Sequence, residues 1–287
     1  MNAFDSKLLD GKTKLHFVGI GGSGMFPLVQ ILHEVGYEIT GSDVNEGDII
    51  DRERKLGIPI SMGHKAENVH GAELVVYTAA IMKGNPEIEE AHRLGIPTVE
   101  RSVLLGYVSR LYKQSICVSG THGKTTTTSM LSHILLAGEL DPTISVGGIL
   151  KAIGGNIRVG NSEYFVTEAC EYTNSFLHFF PKIGVILNID EDHLDFFKDL
   201  ADIRNSFHRF AKLLPKDGTL VINDNIPDLE EITADLDCRV IRYGNDSSLD
   251  YSATNILHDK KGEASFDLVK SGEFIDRISL SVNGDHN

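Results

Sequence analysis

The sequence predicts an α/β protein made of two nucleotide-binding domains in tandem. Short apolar runs alternate with helical patterns along most of the chain, as they do in parallel-sheet folds. Two glycine-rich loops each follow a strand-like run and precede a helix-like run. The last part of the chain alternates with a period of two, which is typical of antiparallel strands. We therefore expect a Rossmann-like parallel-sheet domain over residues 1–110, followed over residues 111–287 by a P-loop-type domain with an added antiparallel sheet.

The first predicted domain has the rhythm of repeated βαβ units. Helices between successive strands favour a parallel sheet that is covered on its faces. Its strand-like runs are 15–19, 38–42, 74–77 and 97–100, and its helical patterns are 27–35, 49–56 and 87–94. The connecting stretch 102–113 is the predicted boundary to the second domain.

A G-x-G-x-x-G loop opens the first predicted helix, with glycines at 19, 21 and 24. Such a loop directs backbone N–H groups at a diphosphate, and an acidic residue about twenty positions later can accept a hydrogen bond from a ligand hydroxyl. The residues predicted to form this site are Gly21, Gly22, Ser23, Gly24 and Asp43. The ligand could be NAD or a nucleotide sugar, and a packing turn without a ligand is the alternative.

The second predicted domain begins with a new series of strands and helices. Strand-like runs lie at 115–118, 164–168, 183–188 and 219–223, and helical patterns lie at 125–137 and 203–214. Residues 251–282 alternate apolar and polar side chains, with Gly262 and Gly272 at the expected turns. The chain stops directly after this last strand with no closing helix, so we expect a fragment of a longer protein.

A second glycine loop, SGTHGKTT at 119–126, has the layout of a nucleoside triphosphate site. Backbone N–H groups and the helix dipole would face phosphate oxygens, Lys124 would reach the terminal phosphates, and the Thr125 hydroxyl would bind a bridging Mg²⁺. ATP and Mg²⁺ are the predicted cofactors. The residues predicted to bind the nucleotide are Gly120, Thr121, His122, Gly123, Lys124, Thr125 and Thr126. The alternative is a turn that only joins a strand to a helix.

Acidic side chains and a histidine follow two further predicted strands. Glu168 and Glu171 lie at the end of one strand, and the sequence NIDEDHLD at 188–195 lies at the end of the next. Because the carboxyl ends of parallel strands share one edge of a sheet, we expect these groups near the phosphate loop. Carboxylates and a neutral imidazole can bind Mg²⁺, so Glu168 and His193 join Thr125 as predicted ligands. A solvated acidic turn is the alternative for residues 190–195.

Composition excludes several classes of protein. An apolar content of 41% and a charged content of 24% are typical of globular proteins. A net charge of −14 disfavours nucleic acids and anionic membranes as partners. No apolar run is long enough to span a bilayer or to form a signal peptide, which predicts a cytoplasmic protein. The spacing of Cys117, Cys170 and Cys238 predicts neither a disulfide framework nor a zinc site.

Several motifs occur in a fixed order along the chain. They are HFVGIGGSGM at 16–25, GTHGKTTT at 120–127, EACE at 168–171 with NSFL at 174–177, NIDEDHLD at 188–195, and a terminal G-x-H-N at 284–287. Together they resemble the Mur ligases, ATP-dependent amide-forming enzymes of bacterial cell-wall synthesis. The resemblance implies a Rossmann-like domain for a UDP-sugar, a central ATPase domain and a further domain for the amine. This chain has the first and most of the second.

The resemblance implies a ligase that joins L-alanine to UDP-N-acetylmuramic acid in peptidoglycan precursor synthesis. ATP would phosphorylate the lactyl carboxylate, and the amine would attack the acyl phosphate and expel phosphate. Lys124, Glu168 and His193 are implied as catalytic residues. One Mg²⁺ would bind Thr125 and Glu168. A second would bind His193, together with Glu171.

Further site residues follow from the same resemblance. The sugar nucleotide would contact Asp43, Thr78, Glu171 and Asn174, and adenine would contact His286 and Asn287. The implied partners are the two substrates, with no nucleic acid and no membrane insertion. A monomer or homodimer in the cytoplasm is expected. The missing amine domain argues against unaided catalysis by this chain.

Three other functions remain open at this stage. A murein tripeptide ligase of cell-wall recycling shares the GTHGKT loop and the sugar nucleotide, and differs in the amine that it attaches. A nucleotide-sugar binding module would use the first loop without any ligation. A nicotinamide-dependent dehydrogenase would bind NADH and would not need Lys124.

Overall fold

The computed structural model describes residues 8–78, 81 and 84–283. The chain divides into two compact units, the first ending at Leu111 and the second beginning at Tyr112. We call them the first unit and the second unit. Within the described ranges, no helix combines the length and the apolar character needed to cross a bilayer.

The first unit is built on a five-stranded parallel sheet with the order β3-β2-β1-β4-β5. Its strands are β1 Lys14–Val18, β2 Glu38–Asp43, β3 Ile60–Met62, β4 Leu74–Tyr77 and β5 Thr98–Glu100. Its helices are α1 Phe26–Glu34, α2 Asp48–Lys55, α3 Pro86–Leu94 and α4 Arg101–Ser109, with a short 3-10 helix at Ala66–Val69. The strand order reverses at β1, which places the end of this strand at a switch point where α/β sheets bind ligands.

Local sequence explains where these elements start and stop. In β1, Leu15, Phe17 and Val18 are at most 1% exposed, as expected of a strand covered on both faces. The α3 helix begins where the Asn85 side chain accepts a hydrogen bond from the backbone N–H of Glu87 at 2.9 Å. It ends at Gly95, whose φ of 71° is the left-handed conformation that glycine adopts at low cost.

A buried carboxylate network lies beside the end of β2. The fully buried Glu87 carboxylate accepts hydrogen bonds from the Ser42 hydroxyl at 2.6 Å and from Asn68, and its oxygen lies 2.9 Å from His64 Nδ1. Although burial alone would raise it, the nearby His16 ring, 3.7 Å away, and the hydrogen bonds from Ser42 and Asn68 lower the pKa of Glu87 to about 2. Glu87 is therefore ionised at neutral pH and fixes the end of β2.

A second buried carboxyl group, that of Glu53 on α2, is in the opposite situation. Its side chain is fully buried, and neither oxygen has a hydrogen-bond partner among the described residues. Burial, and after it the nearby Asp43 carboxylate, raise the pKa of Glu53 to about 8. Glu53 is thus neutral at pH 7.

The second unit is built on a ten-stranded sheet with the order β15-β14-β13-β12-β11-β10-β6-β9-β7-β8. Its strands are β6 Gln114–Ser119, β7 Thr143–Leu150, β8 Gly155–Arg158, β9 Tyr164–Glu168, β10 Ile183–Ile186, β11 Thr219–Asn223, β12 Arg239–Gly244, β13 Tyr251–His258, β14 Glu263–Lys270 and β15 Glu273–Asn283. Its helices are α5 Lys124–Ala137, α6 Leu200–Ala211 and α7 Glu230–Thr233, with 3-10 helices at Lys151–Ile153 and Tyr172–His178. The central strands are parallel, so β6, β9 and β10 end at the same edge.

The two predicted turn glycines, Gly262 and Gly272, lie at the ends of β14 with φ values of 80° and 84°. The three antiparallel strands do not form a separate sheet. Tyr251 of β13 pairs in parallel with Tyr243 of β12, so the antiparallel strands extend the same sheet.

The structure also contains elements that the sequence patterns did not predict. Strands β3, β7, β8 and β12 were missed, because β3 is only three residues long and the others lack clear alternation. The stretch 102–113, predicted as a connection, lies largely within α4. Both sheets nevertheless have the α/β character that the sequence predicts.

The Glu53 environment predicts a pH-dependent stability. The folded state holds a proton on Glu53 that the unfolded chain releases near the ordinary glutamate pKa of 4.5, so stability should fall as pH rises from there to about 8. Glu53→Gln removes this dependence. We expect the difference in unfolding free energy between Glu53→Gln and wild type to shift in favour of the variant by up to about 1.4 kcal/mol for each pH unit in that window.

The measurement is denaturant unfolding of both proteins at pH 5 and pH 8. Asp51→Asn, on the exposed face of the same helix α2, is the matched control, and its difference from wild type should stay constant. A constant difference for Glu53→Gln as well would contradict the prediction.

Candidate active site

The second glycine loop, residues 119–126, lies between two other strand ends. In the sheet, β6 pairs with β10 on one side and with β9 on the other. The loop after β6 therefore borders Glu168, which ends β9, and the segment that follows β10. Glu168 and the segment after β10 thus lie beside the loop, as the sequence predicts, whereas the placement of β9 and β10 on opposite sides of β6 does not follow from chain order.

Two glycines give the loop its shape. Gly120 has a φ of 144°, and a β-carbon on it would lie 3.0 Å from Leu187 Cβ and 3.2 Å from Asn188 N. Gly123, with a φ of 83°, is the residue before α5, and no side chain caps the first N–H groups of this helix. Those N–H groups and the positive end of the helix dipole are suited to bind an anion. Thr125 and Thr126 lie in the first turn of α5.

Asn188 fixes the loop from the neighbouring strand. Its side-chain oxygen accepts a hydrogen bond from the His122 N–H at 2.8 Å, and its amide donates to the His122 carbonyl at 3.0 Å. The Thr121 hydroxyl accepts from the Asp190 N–H at 2.9 Å. Asn188 and Asp190 were not predicted as loop contacts. A polar side chain at the end of an adjacent parallel strand is the signal that could have indicated Asn188, whereas Asp190 contacts the loop through its backbone.

Lys124 forms an ion pair with Glu171 beneath the loop. Its Nζ lies 2.9 Å from Glu171 Oε2 and 2.6 Å from the Gly120 carbonyl oxygen. The Lys124 side chain is 15% exposed and that of Glu171 is 2% exposed, so the pair is largely removed from water. Loss of either partner would leave a buried charge without compensation. Glu171, predicted as a substrate contact, is therefore also the anion that holds the loop lysine.

Thr125 and Glu168 lie together on the open side of the loop. The Thr125 hydroxyl donates to Glu168 Oε2 at 3.0 Å, and the Gly147 N–H donates to Glu168 Oε1 at 2.6 Å. One hydroxyl and one carboxylate suit Mg²⁺, which keeps several waters and needs only one or two carboxylates beside phosphate oxygens. Gly147 was not predicted. A β-carbon there would lie 2.9 Å from Glu168 Oε2, so glycine leaves room for the carboxylate.

His193 belongs to a different part of the site. Its Nε2 lies 3.9 Å from Glu171 Oε1, and its ring packs on Tyr172 with a centroid distance of 4.5 Å. The Tyr172 hydroxyl donates to Asp195 at 2.8 Å. The predicted metal ligands thus separate into a Thr125–Glu168 pair and a Glu171–His193 pair. No group of three or more His, Cys, Asp or Glu side chains arranged around one metal occurs among the described residues.

The segment after Glu171 is anchored by aromatic packing. The Phe176 ring stacks on Phe210 with a centroid distance of 4.9 Å and meets Phe207 edge-on at 5.3 Å. Asn174, predicted as a substrate contact, has a φ of 60° and accepts a hydrogen bond from the Ser206 hydroxyl of α6. These contacts tie the segment to α6 and hold Glu171 in place.

The first unit places its predicted loop at the end of β1. The Ser42 carbonyl accepts hydrogen bonds from the Gly19 and Ile20 N–H groups at 2.8 and 3.0 Å. The Asp43 carboxylate accepts from Gly21 N–H at 2.9 Å and from Asn45 N–H at 2.9 Å. Asp43 therefore shapes the loop as well as facing it. Gly22 and Ser23 are exposed at the tip.

Two further residues complete this loop. A β-carbon on Gly19 would lie 3.3 Å from Thr78 Cγ2, which places the predicted Thr78 against the loop. The Arg101 guanidinium, which was not predicted, lies over Gly24, since a β-carbon there would be 3.1 Å from its Nε. The predicted adenine contacts His286 and Asn287 lie outside the described residues.

The chain belongs to the Mur ligase family. Residues 118–287 match the Mur ligase middle domain, and residues 14–113 match the model described as "Mur ligase family, catalytic domain". The matches cover both glycine loops, Glu168, Glu171 and His193. The resemblance drawn from the sequence motifs is thereby confirmed.

Relatives of high sequence identity within this family carry one name. A UDP-N-acetylmuramate–L-alanine ligase from Lachnoclostridium phytofermentans is 52% identical over an alignment of 284 residues that covers 95% of this chain and 61% of the relative. A ligase of the same name from Clostridium tetani is 50% identical and matches 96% of this chain and 60% of the relative. The chain therefore spans about 60% of the length of these curated relatives.

Two solved structures share the fold. A UDP-N-acetylmuramate-alanine ligase from Thermotoga maritima has a TM-score of 0.75 and 31% identity, covering 95% of this chain and 61% of that one. A UDP-N-acetylmuramate:L-alanyl-gamma-D-glutamyl-meso-diaminopimelate ligase from Neisseria meningitides has a TM-score of 0.82 and 27% identity, covering 96% and 90%.

The geometry of Gly120 predicts a large cost for any side chain there. Gly120→Ala would adopt an unfavourable φ and would press on Leu187 and Asn188, so we expect a loss of about 1–3 kcal/mol in unfolding free energy. Denaturant unfolding measures this loss. The matched control is Gly155→Ala in β8, where a β-carbon meets no atom within 4 Å and the change should be close to neutral. Equal stability of the two variants would contradict the prediction.

Proposed function

We propose that the protein is an ATP-dependent ligase that joins L-alanine to UDP-N-acetylmuramic acid. The observation that carries this proposal is the placement of Lys124, Thr125 and Glu168 around one phosphate loop. The two substrates are proposed from the names of relatives at 50–52% identity, which are L-alanine ligases. The reaction belongs to peptidoglycan precursor synthesis and is proposed to take place in the cytoplasm.

The chemistry requires activation of a carboxylate, which is a poor electrophile at neutral pH. The γ-phosphoryl group of ATP passes to an oxygen of the lactyl carboxylate, and ADP leaves. The L-alanine amine then attacks the acyl carbon, loses a proton, and inorganic phosphate departs with its bonding electrons. Charge accumulates on the phosphoryl oxygens during both steps, so stabilising that charge is the main task of the protein.

Each predicted residue has a defined task in this proposal. Lys124 would bind the terminal phosphates, and its partner Glu171 would keep the lysine oriented when the site is empty of nucleotide. Thr125 and Glu168 would hold one Mg²⁺, and His193 with Glu171 would hold a second. When bound, Mg²⁺ would neutralise charge on the phosphates and on the acyl phosphate.

A murein tripeptide ligase is the second candidate function. It is favoured by the TM-score of 0.82 to the Neisseria ligase, whereas the higher sequence identity favours the L-alanine ligases. Both functions use the same acyl phosphate and differ in the amine. Trapping with hydroxylamine tests their common step without the amine domain, because hydroxylamine takes the place of the amine substrate. The chain should form a hydroxamate on UDP-N-acetylmuramic acid only with ATP and Mg²⁺. No hydroxamate from a chain that binds both nucleotides would contradict the proposed chemistry.

Substitution of Lys124 should separate the two nucleotide sites. In calorimetric titrations, we expect Lys124→Met to weaken binding of a non-hydrolysable ATP analogue by about tenfold or more, because a charge-assisted contact is lost. Affinity for UDP-N-acetylmuramic acid should not change. Lys113→Met, at an 85% exposed side chain, is the matched control. Binding of NADH that is insensitive to Lys124 would instead support a dehydrogenase.

Substitution of Glu168 should change the magnesium requirement. We expect Glu168→Gln to raise the Mg²⁺ concentration for half-maximal binding of the ATP analogue by about tenfold, since one of two proposed protein ligands is weakened. Binding without Mg²⁺ should stay unchanged. Glu163→Gln, at a half-exposed carboxylate just before β9, is the control. A parallel loss of affinity with and without Mg²⁺ would argue against a metal ligand.

A further inference from the structure

A cation beside the glycine loop would strengthen binding of a diphosphate in the first unit. The chain has a net charge of −14, and the Asp43 carboxylate lies directly against the glycine loop. Backbone N–H groups and a helix dipole supply only partial positive charge. In the second unit Lys124 and the proposed Mg²⁺ can supply full charges, whereas the sequence motifs of the first loop contain no basic residue between 19 and 25. A full positive charge at this loop would therefore come from elsewhere in the fold.

Arg101 reaches the loop from another strand. It is the first residue of α4 and directly follows β5, which is parallel to β4 and β1. It therefore lies at the carboxyl edge of the sheet, where the glycine loop also lies. A β-carbon built on Gly24 would be 3.1 Å from Nε and 3.2 Å from Cζ and Nη1 of Arg101. The guanidinium thus covers the last glycine of the loop, in space that any larger residue would occupy.

The Arg101 guanidinium is not used to hold the fold together by charge. It makes no hydrogen bond or ion pair with another described residue, and it is partly exposed. Other arginines of the first unit differ in this respect. Arg54 pairs with Glu46 at 2.7 Å, Arg93 pairs with Glu90 at 2.7 Å, and Arg52 packs over the Phe26 ring. A guanidinium with free donors beside a diphosphate loop is suited to bind phosphate oxygens in a bidentate manner.

We propose that Arg101 binds the diphosphate of the sugar nucleotide over Gly24. This inference rests on the proposed function and assigns the cation of its first substrate site. The loop N–H groups would bind the diphosphate from the side of α1, and the arginine fork would bind it from the side of α4. Gly24 keeps the two close together because it has no side chain between them.

The test is calorimetric titration of the 287-residue chain with UDP-N-acetylmuramic acid at low and high salt. We expect Arg101→Gln to weaken binding by about tenfold to a hundredfold at low salt, as for a lost charge-assisted contact. The affinity of Arg101→Lys should lie between those of wild type and Arg101→Gln, since lysine keeps the charge and lacks the planar fork. The difference between wild type and Arg101→Gln should shrink at high salt. The unfolding temperature should not change, since no described partner is lost.

The matched control is Arg93→Gln, which removes the same charge from the first unit. Arg93 lies in the last turn of α3, and a helix between parallel strands ends at the opposite edge of the sheet. The affinity of Arg93→Gln for UDP-N-acetylmuramic acid should equal that of wild type. Equal affinity of Arg101→Gln and wild type would overturn the inference, and so would an equal loss in both variants, which would indicate a general charge effect. No binding by folded wild type would instead overturn the proposed sugar-nucleotide site, and the inference with it.

Discussion

The order of the strands is the constraint on which both sites depend. In each unit the first strand, β1 or β6, has neighbours added on both sides, so the order reverses at that strand. A reversal leaves a crevice at the carboxyl end of the strand, because the flanking connections lead away to opposite sides. Each glycine loop follows that first strand. The same topological position therefore holds a G-x-G-x-x-G loop in one unit and the GTHGKT loop in the other.

Carboxylates shape both loops from within the protein. In the first unit Asp43 binds the N–H of Gly21, and the ionised Glu87 fixes Ser42, whose carbonyl holds Gly19. In the second unit the buried Glu171 holds Lys124. Acidic groups next to an anion site weaken binding by repulsion unless their charge is already compensated. Lys124 provides that compensation for Glu171, hydrogen bonds from backbone amides provide part of it for Asp43, and the neutral Glu53 adds no further negative charge at pH 7.

Features that depend on neighbouring residues were predictable from the sequence, and so was the meeting of Glu168 with the second glycine loop at one edge of the sheet, whereas individual contacts between distant segments were not. Both loops and the turns at Gly262 and Gly272 follow from local patterns, and the motif order indicated the family. Asn188 and Arg101 contact loops that lie 66 and 77 positions earlier in the chain, because parallel strands bring distant segments to one edge. The raised pKa of Glu53 was likewise not predictable, because it depends on burial and a glutamate in a helix is expected on the exposed face. The residues of the site and their division into a Thr125–Glu168 pair and a Glu171–His193 pair were therefore predictable, while the contacts that Asn188 and Gly147 make with them were not.

The role of Asp43 explains why the G-x-G-x-x-G motif alone does not identify a cofactor. In a dinucleotide-binding fold the acid after the second strand is read as the residue that binds the ribose. Here both of its oxygens already accept backbone N–H groups, from Gly21 and from Asn45, and its side chain is almost fully buried. Such a carboxylate maintains the shape of the loop whether the diphosphate carries a nicotinamide or an amino sugar. Discrimination between ligands must then come from groups around the loop, and these are supplied by other strands.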